Sequence, residues 1–163
     1  MTTPAIPQNA ISVARLVDVG ARSNPVNIYI CASSHVTQFD RVIRVRDRLL
    51  DCGIHVTSRW PEIVKAARDS GIASDHDLSH RDAVRAALSD ISDIRRADAL
   101  AFLVPPLGTY THGGFWEIGF AHGLGKPIFS AGPFASIFLA TTEHYDRDDE
   151  LIGALHACVP RAS

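Results

Sequence analysis

The segment from Gly113 to Ala121 holds the side chain best suited to chemistry, the carboxylate of Glu117. The adjacent glycines, Gly113 and Gly114, would let a ligand approach the backbone closely. We expect Glu117 to lie in the first turn of a helix over residues 115–124, where unpaired N–H groups and the helix dipole favour an anion. Its i+3 and i+4 neighbours are apolar, so it shares a face with core-type residues. Such a carboxylate can act as a nucleophile, or it can simply satisfy the N-terminus of its own helix.

Two aspartates could supply a second carboxylate. Asp90 lies late in the helix that leads into the third strand, beside the apolar stripe of that helix, and Asp98 directly precedes the strand. A nucleophile and an acid in one pocket form a carboxylate pair suited to glycosyl chemistry. The alternatives are that Asp90 is a solvated helix residue and that Asp98 holds a turn.

Two aromatic residues lie near the carboxyl ends of predicted strands. Tyr29 interrupts an otherwise aliphatic strand, so its hydroxyl could orient a nucleophilic carboxylate, although a core tyrosine is the simpler interpretation. Trp60 follows the second strand and is either a stacking platform for a base or part of the core.

Polar residues flank the same region. Ser33, Ser34 and His35 follow the first strand and could line a phosphate or sugar site, since hydroxyls suit anionic oxygens, or they could serve ordinary turn chemistry. His112 precedes the two glycines and could touch a substrate. The eight histidines are spread over the chain and the three cysteines lack metal-ligand spacing, so we expect no metal site.

Strand-like and helix-like segments alternate along the chain. Strands are predicted at residues 26–31, 54–60, 99–104, 128–131 and 142–146, and helices at 39–51, 62–70, 115–124 and 150–159. A further helix begins at a capping box formed by Ser79 and Asp82. This order predicts an α/β, doubly wound, mainly parallel five-stranded sheet with helices on both faces. Ligands would bind beyond the carboxyl ends of its strands.

Composition narrows the class of protein. The 163 residues fit one domain, and 46% of them are hydrophobic. The net charge of −2 comes with no basic stripe, so we expect no duplex nucleic acid as partner. We expect no membrane partner and a cytoplasmic location, because no apolar run reaches the length of a membrane span and no signal peptide is visible. Residues 1–25 are interpreted as a loosely ordered N-terminal arm and residues 26–160 as the catalytic domain.

Several of these segments resemble, in order and spacing, the nucleoside 2-deoxyribosyltransferase superfamily, and most closely its deoxyribosyltransferase-like branch. The resemblance covers roughly residues 26–156. Its most specific part is the Gly-Gly-x-x-Glu-x-Gly-x-Ala block that begins at Gly113, followed by Gly125-Lys126-Pro127. The supporting segments are Ile28–Ala32, His55–Trp60, Asp90–Asp98, Gly132-Pro133 and Ile137-Phe138.

The resemblance implies a Rossmann-like or flavodoxin-like fold and covalent catalysis without a cofactor. Glu117 would attack the anomeric carbon of a nucleoside or nucleotide, Asp90 would help to protonate the leaving base, and Tyr29 would position the nucleophile. In a transferase, a second base would then attack the glycosyl-enzyme. In a nucleotide N-glycosidase, water would attack it instead. The resembled enzymes are oligomeric, so a homodimer or larger assembly is expected.

Position 111 departs from the transferase pattern. Transferases of the superfamily carry an aspartate six residues before the nucleophile, where this chain has Thr111. The related 2′-deoxynucleoside 5′-monophosphate N-glycosidases carry a serine there, which serves phosphate binding. A hydroxyl at Thr111 therefore favours a nucleotide hydrolase. The alternatives are a non-catalytic module that senses a nucleotide and an enzyme that cleaves NAD-like dinucleotides.

Overall fold

The structure is a computed structural model that describes residues 26–72, 77–109 and 111–159. The N-terminal arm inferred for residues 1–25 lies outside the described residues. Within the described part of the chain, no helix is long and apolar enough to cross a membrane.

Five parallel strands form one sheet, with the spatial order β2-β1-β3-β4-β5. The strands are β1 (Asn27–Ala32), β2 (His55–Val56), β3 (Ala99–Leu103), β4 (Ile128–Ala131) and β5 (Glu143–Tyr145). This order is that of flavodoxin-like folds. The parallel α/β sheet predicted from the alternation of segments is thus confirmed.

Helices connect the strands and cover the sheet. They are α1 (Val36–Asp51), α2 (Trp60–Asp69), α3 (His80–Arg96), α4 (His112–Gly123) and α5 (Asp148–Ala157), with a short 3-10 helix over Ile137–Thr141. Helix α1 contacts α5, and α3 contacts both α2 and α4. All five residues of the central strand β3 are buried, as is expected of a parallel strand covered on both faces.

Local sequence signals account for several helix ends. Ser79 caps α3, since its hydroxyl accepts a hydrogen bond from the Asp82 backbone N–H at 3.2 Å, which confirms the helix start predicted at this residue. Gly125 follows α4 with φ of +68°, a conformation that glycine adopts without steric cost.

The second strand is shorter than the sequence suggested. Only His55 and Val56 pair with β1, whereas a strand over residues 54–60 was expected. Trp60 instead begins helix α2, where Pro61 provides the fixed φ suited to a first turn. The β-rich composition of residues 54–60 predicted a longer strand than the sheet contains.

Helix α4 begins three residues earlier than predicted. Thr111 is its N-cap, so Gly113 and Gly114 lie inside the first turn rather than before it. Glu117 is consequently the sixth helical residue, and the expectation that it lies in the first turn was wrong. The unpaired N–H groups at the helix start therefore cannot account for the environment of its carboxylate.

Candidate active site

The candidate site lies where β1 and β3 run side by side. In a sheet of this strand order, the crevice between these two strands is the switch point at which ligands bind. Tyr29 and Cys31 are two residues apart on β1, so they point to the same face of the sheet. They pair in register with Leu100 and Phe102 of β3.

A direct hydrogen bond joins two of the residues singled out in the sequence. The Tyr29 hydroxyl donates to Glu117 Oε1 at 2.9 Å. Tyr29 is fully buried, and burial, reinforced by the charge of Glu117, raises the pKa of its phenol far above the usual range. The phenol therefore remains a neutral donor to the carboxylate at any physiological pH.

The carboxyl group of Glu117 has a pKa above the usual value for a glutamate. Burial raises its pKa to about 7, and hydrogen bonds from Cys31 and Tyr29 partly oppose that rise. Near neutral pH the group is consequently divided between its protonated and anionic forms. A carboxyl group with a pKa raised in this way and held by a fixed donor is a candidate for a reacting group.

Cys31 is a member of the site that the sequence analysis did not single out. Its sulfur lies 3.5 Å from the Gly114 carbonyl oxygen, to which the thiol donates. The side chain is entirely buried, and burial followed by the charge of Glu117 raises the pKa of the thiol. Nothing in the local sequence distinguished it from an apolar strand residue.

The first turn of α4 approaches β1 and β3 closely at Gly114. A Cβ built at this position would lie 2.5 Å from Thr111 Oγ1 and 3.2 Å from a ring carbon of Phe102. Glycine is thus required here by space. The Thr111 hydroxyl accepts a hydrogen bond from the Gly114 N–H at 3.2 Å, so this predicted substrate residue also has a structural role.

Asp90, on helix α3, is close enough to the site for its charge to act on it. Its side chain is half-buried, and its charge contributes to raising the pKa values of both Tyr29 and Cys31. It also acts on Arg59, whose pKa is raised chiefly by a hydrogen bond to Asp93. The structure therefore brings Asp90 into the electrostatic neighbourhood of the Tyr29–Glu117 pair.

Asp93 is a second group that the sequence analysis did not single out. Its carboxylate is fully buried and is paired with Arg59 at 2.8 Å and with Arg96 at 2.5 Å. It also accepts a hydrogen bond of 3.0 Å from the Arg59 backbone N–H. Because the Asp93–Arg59 ion pair joins α3 to the start of α2, it fixes the loop after β2 beside Asp90.

Asp98 does not lie in the candidate site. It accepts a 2.8 Å hydrogen bond from the backbone N–H of Asn27, the first residue of β1. Asp98 is therefore at the amino edge of the sheet, opposite to the candidate site. The alternative that it holds a turn agrees with this position.

The residues that follow β1 form the entry to helix α1. Ser33 is buried and its hydroxyl accepts from the His35 backbone N–H at 3.3 Å, while His35 caps α1 through a hydrogen bond from the Thr37 N–H. The Ser34 carbonyl accepts from the Arg68 side chain. These contacts agree with turn chemistry, and a role in substrate binding stays a prediction.

Trp60 and His112 complete the predicted set. Trp60 is only 8% exposed, and its indole N–H donates to the Ile30 carbonyl oxygen at 2.8 Å, so little of the ring is open for stacking. His112 is the first residue of α4, and its side chain lies outside the described part of the structure. Among the described residues, no group of three or more metal-ligating side chains could hold an ion.

A search of solved structures gives a fold match. The structure of the CMP N-glycosidase BcmB from Clostridium botulinum is similar with a TM-score of 0.50, over 80% of this chain and 98% of that one. The sequence identity is 15%, so this similarity shows the fold alone. The chain matches no protein-family model and no curated protein sequence.

Proposed function

We propose that this protein cleaves the N-glycosidic bond of a nucleoside or nucleoside 5′-monophosphate through a covalent glycosyl-Glu117 intermediate. The observation that carries the proposal is the Tyr29–Glu117 hydrogen bond at the switch point, together with the pKa of about 7 at Glu117. The fold that it shares with a CMP N-glycosidase and the motif resemblance to the nucleoside 2-deoxyribosyltransferase superfamily support it.

The first half of the reaction forms the glycosyl ester. An anionic Glu117 oxygen attacks the anomeric carbon, the carbon–nitrogen bond breaks, and its electron pair leaves with the base. Asp90, in its protonated form, delivers the proton that the departing base requires. Tyr29 keeps the attacking carboxylate oriented throughout this step.

The second half returns the enzyme to its starting state. Water attacks the same anomeric carbon, the Glu117 ester bond breaks, and the carboxylate leaves with the bonding electrons. The proton lost by the water passes to the Asp90 carboxylate, which restores the acid. In a transferase a second base would replace the water, and we favour the hydrolase because Thr111 stands where transferases of the superfamily carry an aspartate.

The test is chromatography of free base released from deoxynucleosides, ribonucleosides and their 5′-monophosphates, with and without an acceptor base. Glu117→Gln removes the nucleophile, while Glu150→Gln, which alters an exposed glutamate of α5 paired with Arg147, is the matched control. We expect base release from a monophosphate without acceptor, lost in Glu117→Gln and retained in Glu150→Gln.

Four other outcomes would contradict the proposal in different ways. Base exchange only in the presence of an acceptor would overturn the preference for a hydrolase. Full turnover by a folded Glu117→Gln protein would overturn the covalent mechanism. Saturable binding without product would favour a sensor, and nicotinamide release from NAD would favour a dinucleotide glycohydrolase.

We further propose that two copies associate through the outer faces of α3 and α4. Leu88 on α3 is 60% exposed and Trp116 on α4 is 55% exposed, and Val84 and Leu124 add to this apolar surface. Exposed apolar side chains on two helices that pack side by side suit a second identical copy. Light scattering should give a dimer or larger assembly that Leu88→Lys dissociates and that Ile137→Lys, at an exposed apolar position on the 3-10 helix that contacts β5, leaves intact.

A further inference from the structure

Arg59 lies at the carboxyl edge of the sheet, in the short segment between β2 and α2. Its neighbours on both sides are tied to β1. The Ser58 hydroxyl accepts from the Ile30 N–H at 3.2 Å, and the Trp60 indole N–H donates to the Ile30 carbonyl oxygen at 2.8 Å. Ile30 is adjacent to Tyr29, a member of the candidate site. Arg59 is therefore fixed beside the part of β1 that carries the site.

One edge of the Arg59 guanidinium is anchored by Asp93. Nε donates to both carboxylate oxygens of Asp93, at 3.0 and 3.1 Å, and Nη2 lies 2.8 Å from Oδ1. The side chain of Asp93 is 0% exposed, whereas that of Arg59 is 55% exposed. The ion pair is thus buried on its acidic side and open on its basic side, and it holds the guanidinium in one orientation.

The outer edge of the guanidinium has no partner among the described residues. A guanidinium group carries five N–H donors in a planar fork, and Asp93 faces only the edge formed by Nε and Nη2. No hydrogen bond or ion pair with the described part of the chain uses Nη1 of Arg59. Nη1 and the outer N–H of Nη2 therefore form two parallel donors, which match two acceptors that lie side by side.

Asp90 places this pair of donors at the base end of the substrate. Asp90 and Asp93 are three residues apart on α3, so they lie on the same face of the helix. The pKa of Arg59 is raised chiefly by its hydrogen bond to Asp93, and the charge of Asp90 also raises it. Because Asp90 is the group proposed to protonate the departing base, a donor beside it faces the base rather than the 5′ end of the sugar. The charge of Asp93 offsets that of Arg59, so the pair does not oppose protonation of Asp90.

We propose that Arg59 recognises the leaving base, and that the substrates carry a base with two adjacent hydrogen-bond acceptors, as cytosine has at O2 and N3 and guanine has at O6 and N7. This inference rests on the proposed function. The paired N–H groups of Arg59 donate to both acceptors, which is the geometry in which arginine binds guanine in nucleic acids. Uracil has an N–H group at N3 and adenine has an amino group at C6, so each sets a donor against a donor.

The same contact assists the reaction. When the carbon–nitrogen bond breaks, its electron pair spreads from the departing nitrogen onto the acceptor atoms of the base. Hydrogen bonds to an atom that gains negative charge become stronger, so the Arg59 contact is stronger in the transition state than in the bound substrate. Arg59 should therefore affect kcat as well as KM, and it should do so selectively for bases that have both acceptors.

The experiment compares Arg59→Lys with Arg96→Lys. Both arginines are paired with Asp93 and more than half exposed, but Arg96 is the last residue of α3, the end that leads to the amino edge of the sheet. Lysine keeps the positive charge near Asp93 and lacks the planar fork. Base release is measured for two matched pairs of 5′-monophosphates, those of cytosine and uracil and those of guanine and adenine.

We expect the wild-type protein to favour cytosine over uracil, or guanine over adenine, by about 10- to 100-fold in kcat/KM. Arg59→Lys should reduce this ratio to within about threefold, and Arg96→Lys should keep it. Circular dichroism confirms the fold of each variant, and Arg59→Gln, which also lacks the fork, gives the same test if the lysine variant does not fold.

Three results would overturn the proposal. An equal loss for all four bases in Arg59→Lys would mean that Arg59 is only a structural tether for Asp93. A loss for monophosphates that spares the matching nucleosides would identify Arg59 as a phosphate contact. A wild-type preference for uracil and adenine would contradict the match between the two donors and two acceptors.

Binding to the Glu117→Gln protein separates this inference from the proposed function. Titration calorimetry with the same four monophosphates reports base recognition without turnover. If Glu117→Gln binds with the expected preference, and adding Arg59→Lys abolishes it, while the wild type releases no base, the recognition is real and the reaction is wrong. If the wild type releases base and Arg59→Lys keeps the preference, the reaction stands and the role of Arg59 is refuted. Absence of both binding and release overturns both.

Discussion

The hydroxyl of Tyr29 donates a 2.9 Å hydrogen bond to Glu117 although 88 positions separate the two residues in the chain. Tyr29 belongs to β1 and Glu117 to α4, the helix that follows β3. The hydrogen bond therefore lies at the switch point of the sheet, where it links β1 to the helix that follows β3. Because burial keeps the phenol protonated, it supports the ionised carboxylate without competing for its proton.

Tyr29→Phe should impair the reaction through the ionisation of Glu117. Without the phenol, the pKa of Glu117 should rise above its value of about 7, so the acid limb of kcat/KM should move to higher pH. A lost hydrogen bond to a charged group is worth about 1.5–3 kcal/mol, so we expect kcat/KM at neutral pH to fall by about 10- to 100-fold. The measurement is the pH profile of base release from about pH 5 to pH 9.

Tyr145→Phe is the matched control for that experiment. Tyr145 also donates to a glutamate, Glu143, but it lies on the edge strand β5. This variant should leave the acid limb of the profile where it is. A Tyr29→Phe enzyme with a wild-type profile would contradict the positioning role of the phenol.

Glu117→Gln should make the protein more stable at alkaline pH. The pKa of Glu117 is raised from 4.5 to about 7 by folding, so between these values the native state binds more protons than the unfolded state. The free energy of unfolding therefore falls as pH rises through this window, by up to about 3 kcal/mol. Glutamine does not ionise, so the variant loses no stability from this titration. The difference in free energy of unfolding between Glu117→Gln and wild type should therefore grow between about pH 4 and pH 8.

Urea denaturation at several pH values measures this difference. Glu150→Gln, at an exposed position on α5, should give a difference from wild type that does not change over the same range. A stability difference for Glu117→Gln that stays constant with pH would show that the carboxyl group titrates normally in the folded protein.

The arrangement of the strands could be predicted because its signals are local. The apolar strands β1, β3 and β4, four to six residues long, are separated by helices, and capping at Ser79 and the glycine at position 125 mark helix ends as expected. Parallel strands bring their carboxyl ends to one edge, so Tyr29 and the segment containing Glu117 could be placed near each other from the order of elements alone.

The details of the site depend on tertiary contacts that no local pattern reveals. Gly114 lies inside α4, where a Cβ would lie 2.5 Å from Thr111 Oγ1 and 3.2 Å from the Phe102 ring, whereas glycine propensity indicated a break before the helix. Cys31 and Asp93 look like an ordinary strand residue and a solvated helix residue in sequence. Their roles arise from neighbours 83 positions away in the first case and 34 in the second.

Asp90→Asn should slow base release more than it weakens substrate binding. Asparagine cannot deliver a proton, so kcat should fall by about 100- to 10,000-fold, with the larger loss for the base that leaves less readily. Asp98→Asn tests the same change at the opposite edge of the sheet, where the carboxylate accepts from the Asn27 N–H. It should lower the melting temperature and leave kcat unchanged.

The ratio of rates for a good and a poor leaving base decides this prediction. If Asp90 is the acid, the ratio increases in Asp90→Asn and stays constant in Asp98→Asn. An equal loss for both bases in Asp90→Asn would instead mean that Asp90 acts only on the electrostatics of Tyr29 and Cys31.

Thr111 can be tested for two separable roles. Its hydroxyl caps α4 by accepting from the Gly114 N–H, so Thr111→Ala should lower the free energy of unfolding by about 1 kcal/mol, while Thr111→Ser should retain the cap. The hydroxyl proton remains available as a donor to a substrate oxygen. If it serves a phosphate, Thr111→Ala should raise KM for a 5′-monophosphate and leave KM for the matching nucleoside unchanged.

The comparison of the two substrates separates capping from phosphate recognition. A displaced helix start would weaken both substrates alike, because Glu117 lies on the same helix and would move with it. A selective loss for the monophosphate that Thr111→Ser restores would identify the hydroxyl as a phosphate contact. Equal losses for nucleoside and monophosphate would leave Thr111 as a helix cap alone and would remove the main reason to prefer a nucleotide hydrolase over a transferase.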